Sequence, residues 1–174
     1  MDDQSLNQIE LRYQPRAGDR PMVERIVRRT GKFNEEEIGV ALELLDAALE
    51  QGASSGYEFV FAQPQLAGGK RLPERPILGY ACFGKIPGTE RSFDLYWVVV
   101  DPAVQGLGIG KRLLLSVEQQ VLARRGSQLY IETSARPDYR GTRKFYAASG
   151  YSVVAELSDF YAPGDHKVIY HKKL

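Results

Sequence analysis

The spacing of apolar residues changes several times along the chain, and each change marks an element. Ile9, Leu11 and Tyr13 alternate with polar neighbours, which predicts a first strand over Ile9–Pro15. Asp19 then reads as an N-cap with Pro21 in the first turn, where a missing N–H costs little. Met22, Val23, Ile26 and Val27 recur on one helical face until Gly31. Asn34 and Glu37 stand at capping-box spacing, and Glu35 to Glu37 suit the positive end of a helix dipole. Ile38, Ala41, Leu42, Leu45 and Leu49 form the buried stripe of that second helix, which ends at Gly52. From Tyr57 the period becomes two. Strands are predicted over Tyr57–Gln63 and Ile77–Lys85, joined by a hairpin loop from Pro64 to Pro76, and Pro87-Gly88 turns the chain into a third, Ser92–Val100. This run, SFDLYWVVV, is the most apolar in the chain and is predicted to be central and covered on both faces. After a glycine turn at Gly106–Gly110, a helix over Lys111–Arg125 buries Leu113, Leu114, Val117, Val121 and Leu122 and stops at Gly126. Gln128–Thr133 reads as a strand and Thr142–Ser149 as a short helix closed by Gly150. Tyr151–Leu157 and Lys167–His171 read as an antiparallel pair around a loop from Asp159 to Asp165. The order is β-α-α-β-β-β-α-β-α-β-β.

Composition narrows what such a chain can do. At 174 residues with no internal repeat and no compositional break, residues 1–174 are expected to form one domain. A formal net charge of +1 argues against a strongly basic nucleic-acid binder. One cysteine, Cys82, allows neither an internal disulfide framework nor a Cys-based zinc cluster. His166 and His171 are too few for a three-His metal site, so no metal is expected. No apolar run is long enough to span a membrane, and the polar, acidic start is unlike a secretory signal. A cytoplasmic protein is the expectation.

The most specific chemical feature is Gln105-Gly106-Leu107-Gly108-Ile109-Gly110-Lys111, between an apolar strand and a helix. Glycines let a backbone turn tightly and approach a ligand, and exposed N–H groups at a helix N-terminus attract phosphate oxygens. A P-loop would need glycine five residues before Gly110, where Gln105 stands, and Ser or Thr where Arg112 stands. A dinucleotide fingerprint would need a third glycine where Lys111 stands. The pattern Q/R-x-x-G-x-G/A fits, with Gln105, Gly108 and Gly110.

With LYWVVVDPAVQGLGIGKRLL (95–114), LYIETS (129–134) and TRKFYAASGY (142–151), the chain resembles the GNAT superfamily of acetyl-CoA-dependent N-acetyltransferases over nearly its whole length. The resemblance implies an α/β (α+β) fold. Its central sheet would be mixed, mostly antiparallel, splayed between the fourth and fifth strands and flanked by about four helices. It also implies acetyl-CoA as cosubstrate. The main chain of Gln105, Gly106, Leu107, Gly108, Ile109, Gly110 and Lys111 would hold the pyrophosphate. Val98, Val99 and Val100 would pair with the pantetheine arm, Thr133 and Ser134 would border the slot, and Arg143 would meet phosphates.

Acetylating an amine demands a base for the ammonium proton, donors for a tetrahedral oxyanion and a proton donor for the leaving thiolate. Tyr146 occupies the tyrosine of the family's F-Y-x-x-x-G-[FY] motif and is the implied general acid, while a backbone N–H near Val98 is the implied oxyanion donor. Asp94 is the only carboxylate inside the central strand, with Tyr96 on the same face. It is the candidate base or amine binder, although an ordinary aspartate near pKa 3.9 is poorly matched to neutral pH unless burial raises it. Phe33, Tyr96, Phe160 and Tyr161 are candidate walls of the acceptor site. Cys82, the one thiol, lies outside the motifs, so direct attack in a ternary complex is expected rather than an acyl-enzyme. The acceptor would be a small-molecule or a protein or peptide amine, and the protein a monomer or homodimer. A longer acyl-CoA donor and a non-catalytic acyl-CoA sensor are the alternatives.

Overall fold

In the computed structural model, which describes residues 9–65 and 75–174, seven strands and four helices follow in the expected order. They are β1 (Ile9–Arg12), α1 (Asp19–Arg29), α2 (Glu35–Gln51), β2 (Glu58–Pro64), β3 (Gly79–Lys85), β4 (Ser92–Val100), α3 (Ile109–Ala123), β5 (Gln128–Ser134), α4 (Arg140–Ala148), β6 (Ser152–Ala162) and β7 (Asp165–Lys173). The strands hydrogen-bond in the order β1-β2-β3-β4-β5-β7-β6. The β4–β5 pair is parallel, and β1–β2, β2–β3, β5–β7 and β6–β7 are antiparallel. The sheet is therefore mixed and mostly antiparallel. The β4–β5 ladder covers Ser92–Leu95 with Gln128–Ile131, although β4 runs on to Val100 and β5 to Ser134. Most of the hairpin loop expected between Pro64 and Pro76 lies outside the described residues.

The chain divides into two compact units, residues 1–83 with 97–117 and residues 84–96 with 118–174. In the first, Val23, Ile26, Val27, Ile38, Ala41, Leu42 and Leu45 from α1 and α2 pack on Phe59, Phe61, Tyr80, Cys82 and Val99. The capping box forms as expected: Glu37 N–H donates to Asn34 Oδ1 at 2.9 Å, and Asn34 N–H to Glu37 Oε2 at 2.8 Å. Asp19 departs from its expected role. Gly18 is the N-cap, and Asp19, the first helical residue, is buried. Its carboxylate accepts from Arg12 Nη1 at 3.0 Å, Arg12 Nη2 at 2.6 Å and Arg16 N–H at 2.7 Å. The Arg12 guanidinium also lies 4.4 Å over the Phe61 ring. This two-point ion pair carries sequence from β1 into α1 and leaves neither charge uncompensated.

In the second unit, Phe93, Leu95, Leu129, Ile131, Val121, Tyr146, Tyr151, Val168 and Tyr170 are buried. Tyr151 O–H donates to Glu118 Oε1 at 2.9 Å, and Lys172 Nζ lies 2.8 Å from the same oxygen, so this buried carboxylate is paired. Leu122, expected in the core, is exposed; Glu118 and Val121 take the inner face of α3 instead. Gly126 ends α3 for a different reason than expected. The left-handed residue is Arg125, at φ 60°. Gly126 is glycine because a Cβ there would lie 2.5 Å from Val121 Cγ1 and 2.6 Å from Phe93 Cε2.

β4 is not covered on both faces. Phe93, Leu95 and Val99 are buried, whereas Asp94, Val98 and Val100 are half-buried and Tyr96 is exposed. Nor does the chain loop between Asp159 and Asp165. β6 continues to Ala162, with irregular register after Leu157, and the turn is confined to Pro163-Gly164.

Among the described residues, the hydroxyl of Tyr80, on a fully buried side chain of the first core, has no hydrogen-bond partner. Its desolvation is uncompensated, so Tyr80→Phe removes a cost while keeping the ring. Thermal unfolding of Tyr80→Phe is expected to show an unchanged or higher midpoint, by about 1 kcal/mol of added stability at most. A loss of 1 kcal/mol or more would reveal a partner for that hydroxyl.

Candidate active site

The first unit holds the glycine turn. Asp101 ends β4 by accepting from Ala103 N–H at 3.0 Å and from Arg29 at 2.8 Å, which pins a 3-10 turn at Pro102–Val104. Gln105 Nε2 then donates back to Val100 O at 3.2 Å. Gly106 and Gly108 take φ of 82° and 75°, which side-chain-bearing residues adopt at a cost. Gln105 to Gly108 are exposed, buried Ile109 anchors the first turn of α3, and Lys111 is exposed on it. The result is a run of accessible backbone leading into the N-terminus of a fifteen-residue helix, an arrangement suited to an anion. Phe33, an expected acceptor wall, packs its ring 4.8 Å from Trp97 against the first core.

The second unit holds the titratable candidates. Register places Asp94, Tyr130 and His171 on one face of the sheet, and Leu95, Ile131 and Tyr170 on the other. The Tyr146 ring centre is 5.7 Å from that of Tyr170 and 6.2 Å from that of Tyr151. Tyr146 and Asp94 therefore stand on opposite faces. Burial, with minor contributions from Tyr139 and Tyr170, pushes the Tyr146 phenol well above its ordinary range, so it keeps its proton at neutral pH. Asp94 is pushed up to about 6, first by partial burial and then by the like charge of Glu132, while Lys167 pulls the other way. The rise that sequence alone left as a requirement is present. Lys167 Nζ pairs with Glu132 Oε2 at 2.6 Å and lies 3.7 Å over the Phe160 ring. Glu132 lies in the LYIETS run without an assigned role and Lys167 in no motif; only the register that sets Lys167 opposite Ser134, two residues from Glu132, makes them neighbours.

The remaining candidates are tied into the β5–α4 connection. Ser134 Oγ donates to Asp165 Oδ1 at 2.5 Å and accepts from Arg136 N–H at 3.0 Å. Arg143 Nη1 donates to the carbonyls of Ser134 at 2.8 Å and Arg136 at 2.9 Å. Thr133 is buried beside them in sequence, and Phe160 and Tyr161 are half-exposed, edge to face at 5.1 Å. Among the described residues, no group of three His, Cys, Asp or Glu is placed to hold a metal ion, and no helix is long and apolar enough to cross a membrane.

Residues 66–151 match the model of the acetyltransferase (GNAT) family. A crystal structure from Desulfovibrio desulfuricans, of a protein assigned to the GNAT acetyltransferases, is 41% identical. It superposes with a TM-score of 0.86 over 95% of this chain and 98% of that one. The chain belongs to the GNAT acetyltransferase family. Two more distant structures share the GNAT fold. PaiA N-acetyltransferase from Thermoplasma acidophilum, solved with coenzyme A, is 18% identical at a TM-score of 0.68, over 95% of this chain and 99% of that one. YncA from Salmonella typhimurium, solved with acetyl-CoA as its cofactor, is 16% identical at 0.68, over 95% and 94%. No curated protein matches the sequence.

In this GNAT chain the raised Asp94 has a thermodynamic consequence. Its folded value near 6 lies above an unfolded value near 3.9, so the fold disfavours the ionised form. That cost is absent below about pH 4, grows as pH rises to 6 and is complete above it. Asp94→Asn is neutral throughout. Its urea midpoint, relative to wild type, is expected to rise between pH 4 and pH 7.5 and to stay level above that. A difference independent of pH would contradict the placement of Asp94.

Proposed function

We propose that this protein is an N-acetyltransferase that moves the acetyl group of acetyl-CoA to a primary amine by direct attack within a ternary complex. The observation that carries the reading is Asp94: a half-buried carboxylate held near pKa 6, on the less covered face of β4, at the end of the β4–β5 ladder. A base of that strength is matched to neutral pH. The first residues past the ladder in the same unit are Tyr96 and Glu132, and the reaction centre is assigned to this end of it.

The chain's residues then divide the work. Backbone N–H groups of Gln105 to Lys111 hold the pyrophosphate of acetyl-CoA, and the main chain of Val98 to Val100 pairs with its pantetheine arm. Thr133 and Ser134 border that arm. Arg143 serves mainly to hold the β5–α4 connection, since Nη1 is committed to two carbonyls there. Tyr96, Phe160 and Tyr161 wall the acceptor. Asp94 accepts a proton from the acceptor ammonium, directly or through water. The freed nitrogen lone pair attacks the thioester carbonyl, and an N–H near Val98 faces the oxyanion. As the carbon–sulfur bond breaks, the electron pair leaves on sulfur, Tyr146 O–H donates to it from the opposite face beyond the end of the ladder, and the proton still on the acylated nitrogen is lost to water, which leaves a neutral amide. Because the phenol is a weaker acid than a thiol, that donation is mainly a hydrogen bond with proton transfer late.

Free-thiol release measured against a panel of primary amines tests this function. Turnover of acetyl-CoA on at least one amine is expected. Binding without turnover on any amine would make the protein a sensor, and turnover with only longer acyl-CoA would change the donor. With a turned-over amine in hand, Tyr146→Phe is expected to lower kcat about 100-fold while leaving acetyl-CoA affinity within a few-fold. A variant as fast as wild type would remove the role. Gly108→Val places a β-branched residue at φ 75° and is expected to weaken CoA binding more than tenfold in calorimetry, with the circular dichroism spectrum retained.

A further inference from the structure

The tip of the β6–β7 hairpin is built in an unusual way. Between the pairs Leu157–Lys167 and Ala162–Asp165, β6 carries Ser158, Asp159, Phe160 and Tyr161, while β7 carries only His166. Asp159 takes a positive φ of 52°. Its N–H donates to His166 Nδ1 at 2.8 Å, and its Oδ1 accepts from Gly164 N–H at 2.7 Å. The segment D-F-Y-A-P-G-D-H is thus explained as a self-satisfied bulge and turn. In a regular strand, consecutive residues face opposite sides, so Phe160 and Tyr161 could not both address one group. The bulge lifts that restriction. Lys167 Nζ lies 3.7 Å from the Phe160 ring centre and 5.7 Å from that of Tyr161, with Glu132 Oε2 at 2.6 Å. The lysine side chain is only 12% exposed although both rings are about half-exposed, so the aromatic pair covers the ammonium rather than a core.

We propose that this aromatic clamp is a positioning device for the reaction: Phe160 and Tyr161 hold the Lys167 ammonium against Glu132, and the resulting ion pair fixes the charge environment of Asp94. The titratable groups that the register sets on the Asp94 face are Tyr130 and Glu132 from β5 and Lys167, His171 and Lys173 from β7. The Tyr130 and His171 rings lie 4.7 Å apart, tilted by 33°, and His171 Nε2 is bonded to the Gln128 side chain. Lys173 lies opposite Gln128 at the other end of β5, and the formal charges that act on Asp94 are Glu132 and Lys167, with opposite signs. Lysine left free would swing its flexible stem into water and leave Glu132 uncompensated. Its capture by the rings keeps the carboxyl at a value useful near neutral pH, neither an ordinary aspartate nor a permanently protonated one. The catalytic meaning of this device rests on Asp94 acting as the base.

Carbon-13 NMR of protein labelled at aspartate Cγ, with the Asp94 signal assigned through Asp94→Asn, reads the carboxyl directly and needs no acceptor. Lys167→Met is expected to raise the Asp94 midpoint by roughly half a pH unit or more, and Glu132→Gln to lower it by a similar amount. Phe160→Leu is expected to move it upward by part of the Lys167→Met shift, and Lys167→Arg to keep it near wild type, since a guanidinium also stacks on rings. Midpoints unchanged in both Lys167→Met and Glu132→Gln would overturn the electrostatic role. A Phe160→Leu midpoint equal to wild type, beside a shifted Lys167→Met, would overturn the clamp. If these shifts appear but the pH dependence of thiol release ignores them, the base assignment fails and the positioning of Asp94 stands.

Discussion

A carboxylate half out of water in the middle of a strand is the constraint to which the second unit is fitted. Asp94 sits between Phe93 and Leu95, which are buried, so the strand cannot rotate to free it. Its neighbours supply one negative and one positive charge instead of a bonded partner, and the carboxyl is left near the pH at which cells work. Structural carboxylates elsewhere are treated differently. Asp19 is closed by Arg12 in a two-point pair, Glu118 by Lys172 and Tyr151, and Asp165 by Ser134. Among the described carboxylates, Asp94 is held above its ordinary value, in contrast to these paired ones, and that contrast supports the role proposed for it.

Under the proposed function the first unit solves a different problem, binding a polyanion without a basic surface. The whole chain carries 23 Lys+Arg against 22 Asp+Glu, so attraction has to come from oriented backbone. Arg29 pinning Asp101, Asp101 closing the 3-10 turn and Gln105 folding back on Val100 aim the strand end at the glycines. Val98 and Val100, on either side of buried Val99, are half-buried.

Features whose cause is local were legible in the sequence. The capping box at Asn34, the bounds of β4 and the glycine turn all follow from neighbours within a few residues, and the structure places them where spacing does. The misses share a long-range cause. Asp19 reads as a cap until Arg12 is seen against it, and Gly126 reads as a helix stop until Phe93 and Val121 are seen around it. Tyr151–Leu157 reads as the whole of its strand because the bulge at Asp159 breaks the period. At the candidate site, Asp94 and Tyr146 were visible as residue types in motifs, but the pair that tunes Asp94 was not. Glu132 and Lys167 are 35 residues apart and meet only through the β5–β7 register.

The central claim is that Asp94, made basic by its surroundings, takes the proton from the acceptor amine. The most direct test is the pH dependence of kcat/KM for acetyl-CoA-dependent thiol release on a turned-over amine, in wild type and Asp94→Asn. An acidic limb with a midpoint near 6 is expected in wild type, and its disappearance, with a much lower plateau, in the variant. The same limb at the same midpoint in Asp94→Asn would contradict the claim.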